Sequence, residues 1–187
     1  MGRWIDEMMV LLILTNLMLL GSSRLLGCIR YAALQGILTG FLPLLAYGNH
    51  TIRSLLLGAL IIGLKGFVFP TLLTRALREV DVRREVEPFV GYTFSTLIGL
   101  LAFGISLWLG SRLPLPHSAA TGLVMPVAIS TVFVGLFLIV SRRKALTQVV
   151  GYLVLENGIY VFGLALLKDT PLLVELGILM DVFVAVF

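Results

Sequence analysis

Glu156, Asp181 and Lys65 stand inside stretches that are otherwise almost wholly apolar. An ionisable group within a bilayer is expensive, and such groups are usually retained to carry protons, ions or substrate. Two carboxylates and one lysine at similar depth therefore point to proton relay or electrostatic coupling. Glu156 has eleven residues on either side within the stretch 145–167, which places it about 16 Å from each end at 1.5 Å per residue. That is the middle of a hydrocarbon core about 30 Å thick. Tyr152, Glu156 and Tyr160 follow i, i+4 spacing and share one helix face, with Asn157 beside the acid. This stripe can support a hydrogen-bonded relay or ordered water.

Lys65 is equally central in the stretch 54–77, with Gly63 and Gly66 beside it and Pro70 about a turn further on. Proline removes a backbone hydrogen bond and kinks a helix, while glycines admit another backbone or water. Lys65 is thus placed to be a countercharge or a proton carrier. Asp181 is at about the same depth in the stretch 171–187. Glu175, six residues earlier, falls on a different face nearer the boundary and reads first as an interfacial residue. The competing explanation for these charges is an ion pair that locks helices together without transport.

The elements that must position these residues follow from composition. With 59% hydrophobic and 13% charged residues and a mean hydropathy of +1.06, the chain lacks the polar surface to cover a soluble domain of 187 residues. It reads as an all-α polytopic membrane protein with about seven transmembrane helices. Hydropathy places them at 4–21, 29–47, 54–77, 90–111, 121–140, 145–167 and 171–187. The last is short for a span, so the chain is expected to stop inside a helix. A signal peptide at the N-terminus is disfavoured by Asp6 and Glu7 where a basic segment would stand.

Loop charges set the orientation. Arg24, Arg30, Arg75, Arg78, Arg83, Arg84, Arg142, Arg143 and Lys144 fall on one side, against Arg3, Arg53, Arg112 and Lys168 on the other. The positive-inside rule then puts the N-terminus outside. The stretch 76–88 mixes both signs and suits either a short surface helix that docks a soluble partner or a solvated linker.

Residues 1–187 form a single membrane domain divided into a first three-helix unit (1–77), a connecting part with the fourth span (78–120) and a second unit (121–187). The units share an order of elements. Ser23-Arg24 answers Ser141-Arg142-Arg143, Gln35-Gly36 answers Asn157-Gly158, and Lys65 answers Asp181. This is a parallel three-helix repeat or a chance likeness of apolar text. Gln35 joins the candidate polar residues on this ground.

Other features have structural explanations. Cys28 alone cannot form an intramolecular disulfide, a multi-cysteine zinc site or an iron–sulfur cluster, and reads as a small buried residue. His50 and His117 fall in loops, which disfavours bis-histidine haem and a metal role. Gly36 and Gly40 form a GxxxG suited to close helix packing. Trp4, Tyr47, Tyr92 and Trp108 sit near span ends as interfacial aromatics do. The net charge of +4 lies in short loops, so no nucleic-acid site is expected. No nucleotide, metalloprotease or nucleophile motif is present; no cofactor, metal or catalytic residue is expected.

The segment from Arg142 to Ile159, and above all Val150-Gly151-Tyr152-Leu153-Val154-Leu155-Glu156-Asn157-Gly158, resembles NuoK, the small three-helix subunit of respiratory complex I, and its antiporter relative MrpC. Over nearly its whole length the chain is similar to component E of hydrogenase-4 and formate hydrogenlyase type membrane-bound hydrogenases, with a NuoK-like C-terminal unit. The resemblance implies a non-catalytic inner-membrane subunit between a peripheral [NiFe] hydrogenase arm and antiporter-like subunits, with buried acids in a lateral hydrophilic axis. By position Glu156 takes the place of the first NuoK-type glutamate and Asp181, or Glu175, the second. Aligned on the basic pair and Gly151, the NuoK glutamate falls on Leu153, one turn from Glu156. The expected partners are those subunits and lipid. A purely structural bridge and a stand-alone secondary transporter are the alternatives.

Overall fold

The computed structural model describes residues 2–46, 52–80, 89–113 and 122–166. All regular structure among them is helical: α1 (Gly2–Gly21), α2 (Leu25–Ala46), α3 (Ile52–Gly63), α4 (Phe69–Val80), α5 (Tyr92–Arg112), α6 (Val124–Ser141) and α7 (Ala145–Leu166). A π-helical turn, Leu64–Val68, joins α3 to α4 without a break. Counted as spans, six helices among the described residues are long and apolar enough to cross a membrane. The chain is an integral, polytopic membrane protein. The expected span at 171–187, with Glu175 and Asp181, lies outside the described residues, as do His50, His117 and Tyr47.

Two expectations about helix limits are corrected. The second span begins at Leu25 rather than 29, because Arg24 and Arg30 sit at the polar end of the bundle where charge does not interrupt a helix. The third runs to Val80 rather than 77, so 76–80 continue the membrane helix instead of opening a separate surface helix. Arg75 and Glu79, exposed and 3.3 Å apart at i, i+4, support that final turn.

Within a bilayer there is little hydrophobic drive to bring helices together, and close packing of small residues takes its place. The tightest pair is α6 against α7. A Cβ at Gly135 would fall 2.6 Å from Leu155 Cα, one at Gly158 would fall 2.6 Å from Val132 N, and Gly151 lies against Gly135 O. Ser95, Gly99, Ser106 and Gly110 are the buried residues of α5 and line one face of it, while Phe94, Leu101 and Trp108 on other faces are exposed. The GxxxG of α2 packs as its pattern indicates. A Cβ at Gly36 would collide with Lys65, and one at Gly40 would come within 2.6 Å of Ile62 Cγ1.

One end of the bundle is tied by Arg142, which is 1% exposed. Its Nη2 donates to Leu20 O at 2.9 Å and to Ser95 Oγ at 3.5 Å, and its guanidinium lies 4.6 Å from the Tyr92 ring centroid. Leu20 is in the last turn of α1, where carbonyls lack helical partners and a cation is favoured by the helix dipole. Tyr92 is therefore a cation–π platform as well as a residue near a span end.

Gly135→Val forces a branched side chain into the Leu155 backbone. Overpacking costs typically about 1–3 kcal/mol, and a backbone neighbour cannot swing away. The variant is expected to unfold several degrees lower in detergent. An unchanged midpoint would show that α6 and α7 do not depend on this contact.

Candidate proton-path site

The π turn exists because of what surrounds it. Phe69 N–H bonds to Leu64 O, five residues back, at the point where Pro70 brings no N–H of its own. The buried positions of this span, Gly58, Ile61, Lys65, Phe69, Leu73 and Leu77, step once by three and then by four residues. A four-residue step in an α-helix overshoots one turn by about 40°, and the wider turn at Leu64–Val68 absorbs that drift. The result keeps Lys65 and Phe69 on the face that meets α2 and α7.

Lys65 Nζ lies 2.9 Å from Glu156 Oε1, with both side chains 8% exposed. It also donates to Asn157 Oδ1 at 3.1 Å. Glu156 is the twelfth of the 22 residues of α7, so the pair sits at mid-span, as the sequence placed it. Glu156 Oε2 is buried and has no hydrogen-bond partner among the described residues. A cavity of about 10 Å³ adjoins Lys65 and Asn157, walled by Phe69, Pro70, Leu73 and Leu153. That is volume for about one water.

Of the residues the sequence singled out, Lys65, Glu156 and Asn157 are brought together. Tyr160 is buried and Tyr152 half-buried on the same helix. Gln35 is fully buried, but in a neighbouring cluster. Its Nε2 donates to Asn16 Oδ1 at 2.8 Å and to Thr15 Oγ1 at 3.1 Å, and Asn16 Nδ2 donates to Thr131 Oγ1 at 2.8 Å. This bridge links α2, α1 and α6. Its far end is next to the ion pair, because Gly36, the residue after Gln35, is the one against which Lys65 lies.

Sequence reasoning missed Thr15, Asn16, Thr131 and the burial of Arg142. The first three carried a readable signal: an amide and two hydroxyls at mid-depth in apolar α1 and α6. Arg142 had none, since a loop arginine reads as a topology charge until its contacts are seen. Among the described residues no cluster of histidine, cysteine or acids could hold a metal ion.

Comparison with known proteins bears on the whole chain. It is 33% identical over 181 residues to Uncharacterized protein Rv0085 of Mycobacterium tuberculosis, an alignment covering 94% of this chain and 80% of that protein. It is 26% identical over 183 residues to hydrogenase-4 component E of Escherichia coli K12, covering 97% of this chain and 85% of that one. Hydrogenase-4 component E of Shigella flexneri aligns with the same identity and coverage. No family model matches the chain, and no solved structure matches it.

Removing one partner of a buried ion pair leaves an uncompensated charge and costs about 3–5 kcal/mol, whereas replacing both by apolar groups is often neutral. Lys65→Met is thus expected to lower the unfolding midpoint in detergent, and Lys65→Met/Glu156→Leu to recover most of the loss. Strictly additive losses would show that the two side chains do not interact in the folded protein.

Proposed function

Because the chain belongs to the family that contains Rv0085 and hydrogenase-4 component E, we propose that it is a membrane subunit of a multisubunit hydrogenase related to complex I. In this reading it is non-catalytic. It bridges a peripheral [NiFe] hydrogenase arm and antiporter-like subunits, and its midplane charges carry or couple proton movement. The observation that carries the reading is the buried Lys65–Glu156 contact at mid-span, in a chain aligned to component E along 97% of its length.

The chemistry is that of a neutral pair that can be made charged. A proton delivered to Glu156 removes the carboxylate and leaves the Lys65 ammonium without its counterion. In low dielectric this raises the energy of the ammonium far more than it would in water. Lys65 then either loses its own proton or pulls a second carboxylate towards it. Asp181 is our choice for that second acid, with Glu175 as the other candidate. Asn157 holds Lys65 by a neutral acceptor through the exchange. Tyr152, Tyr160 and Gln35 supply polar surface along the route. One proton shift thereby changes the field at a neighbouring site, which can pass coupling laterally as well as move a proton across.

The positive-inside rule sets Arg24, Arg30, Arg75, Arg78 and Arg142 towards the cytoplasm in this reading, with the N-terminus outside the inner membrane. A purely structural bridge is the second reading, and the directness of the ion pair favours it, since such a contact also pins the third span to α7.

The two subunit readings separate on one substitution. Glu156→Gln keeps the volume and a hydrogen-bonding end but cannot exchange protons. Purified with its partners and returned to vesicles, the variant complex is expected to assemble at wild-type yield and to evolve hydrogen with reduced proton pumping. Wild-type pumping with poor assembly favours the structural bridge. A tagged wild-type chain that comes down in gentle detergent as a homo-oligomer, with no hydrogenase or antiporter-like subunit, overturns both and makes transport by the chain itself the reading to pursue.

A further inference from the structure

A groove of about 1360 Å³ runs between α2 and α4 on the outside of the bundle. Four arginines, Arg24, Arg30, Arg75 and Arg78, line one end of it, while the rest is mainly apolar, with Leu34, Ile37, Gly66 and Phe67 in its wall and the hydroxyls of Thr71 and Thr74 bonded to carbonyls of their own helix. Arg75 is engaged with Glu79; Arg24, Arg30 and Arg78 have no acidic partner among the described residues. From Arg78 to Gly66 is twelve residues of helix, or about 18 Å, close to the roughly 15 Å of one leaflet of a 30 Å core. The groove is therefore charged at a membrane surface, apolar below it, and as deep as one monolayer.

We propose that this groove is a binding site for one anionic phospholipid. The phosphate sits among Arg24, Arg30 and Arg78, and an acyl chain descends along α2 to Gly66. Guanidinium groups bind phosphate oxygens through paired N–H donors, and basic pockets between transmembrane helices hold anionic headgroups. A zwitterionic lipid would bring its own cation among three arginines and lose that complementarity. The site is separate from the ion pair but shares a wall with it. Ile29, Ala33 and Pro70 line both the groove and the small cavity beside Lys65, so the bound chain seals the cavity from bulk lipid and supports the π turn at Gly66.

The test uses the full chain in detergent, titrated with phosphatidylglycerol, phosphatidylcholine or inorganic phosphate, with bound species counted by native mass spectrometry. One phosphatidylglycerol per chain is expected at concentrations where phosphatidylcholine does not bind. Arg30→Gln/Arg78→Gln should weaken that binding at least tenfold, and Lys144→Gln, which removes a charge at the same end but outside the groove, should leave it unchanged. Ala33→Trp, which fills the groove below the arginines, should abolish the adduct. Equal binding of both lipids, or full binding by the double arginine variant, overturns the proposal. So does phosphate competing as well as lipid, which would mark a headgroup-only anion site. A Leu34→Cys variant that cross-links to another subunit in the intact complex would make the groove a protein interface and equally overturn it.

Discussion

A charge buried in hydrocarbon has to be neutralised inside the protein, and the contact between Lys65 and Glu156 is where this bundle does so. Much of the local architecture serves that contact. Lys65 reaches α7 because the wide turn at Leu64–Val68 holds it in line with Ile61 and Phe69. The turn itself can approach α2 because Gly36 and Gly66 carry no side chain there; a Cβ on Gly66 would come within 2.8 Å of Ile37. Glu156 is held at the right distance because Gly135 and Gly158 set α7 hard against α6. A hydrogen bond from the lysine to Asn157 Oδ1 supplements the ion pair, so desolvation is offset by more than one contact.

Beside the pair lies a second polar group made wholly of neutral side chains. Thr131, Asn16 and Gln35 form a continuous bridge, and the hydroxyls of Thr15 and Thr131 also donate to carbonyls of their own helices, at 2.8 Å each. Buried amides and hydroxyls with satisfied donors are stable in low dielectric without needing a proton to move. The neutral cluster binds α1, α2 and α6 together, and the charged one joins the third span to α7. Gln35 and Gly36, adjacent in the chain, bring the two clusters to the same level of the membrane.

Much of this was readable in the sequence, for a physical reason. A lysine and a glutamate in apolar stretches announce themselves, and 1.5 Å per residue converts position into depth, so the mid-span location of Lys65 and Glu156 followed directly. The GxxxG of α2 and the all-helical class followed in the same way from spacing and composition. Which helices touch did not follow, because depth carries no information about direction around the bundle. Gln35 stands out in the sequence through its correspondence with Asn157 in the repeat pattern, which says nothing of its partners, Asn16 and Thr15 on α1. The π turn was equally hidden. Pro70 indicated disturbance in the helix, but a kink and a widened turn both remove one hydrogen bond, and only packing against α2 and α7 selects between them.

The two buried cations among the described residues, Lys65 and Arg142, divide labour by chemistry. Arg142 cannot be deprotonated in a protein, and it is used at the end of the bundle, where a carbonyl, a hydroxyl and an aromatic face surround it without a described carboxylate. A permanent charge suits an anchor, since nothing that happens to protons will release it. Lys65 is a point charge on a flexible stem, and it is used at mid-span against the carboxylate of Glu156. A lysine in place of Arg142 would lose the planar guanidinium that lies over the Tyr92 ring while donating to Leu20 and Ser95. The bundle puts its planar, multi-donor cation where helix ends meet and its flexible cation where a single carboxylate lies across the span.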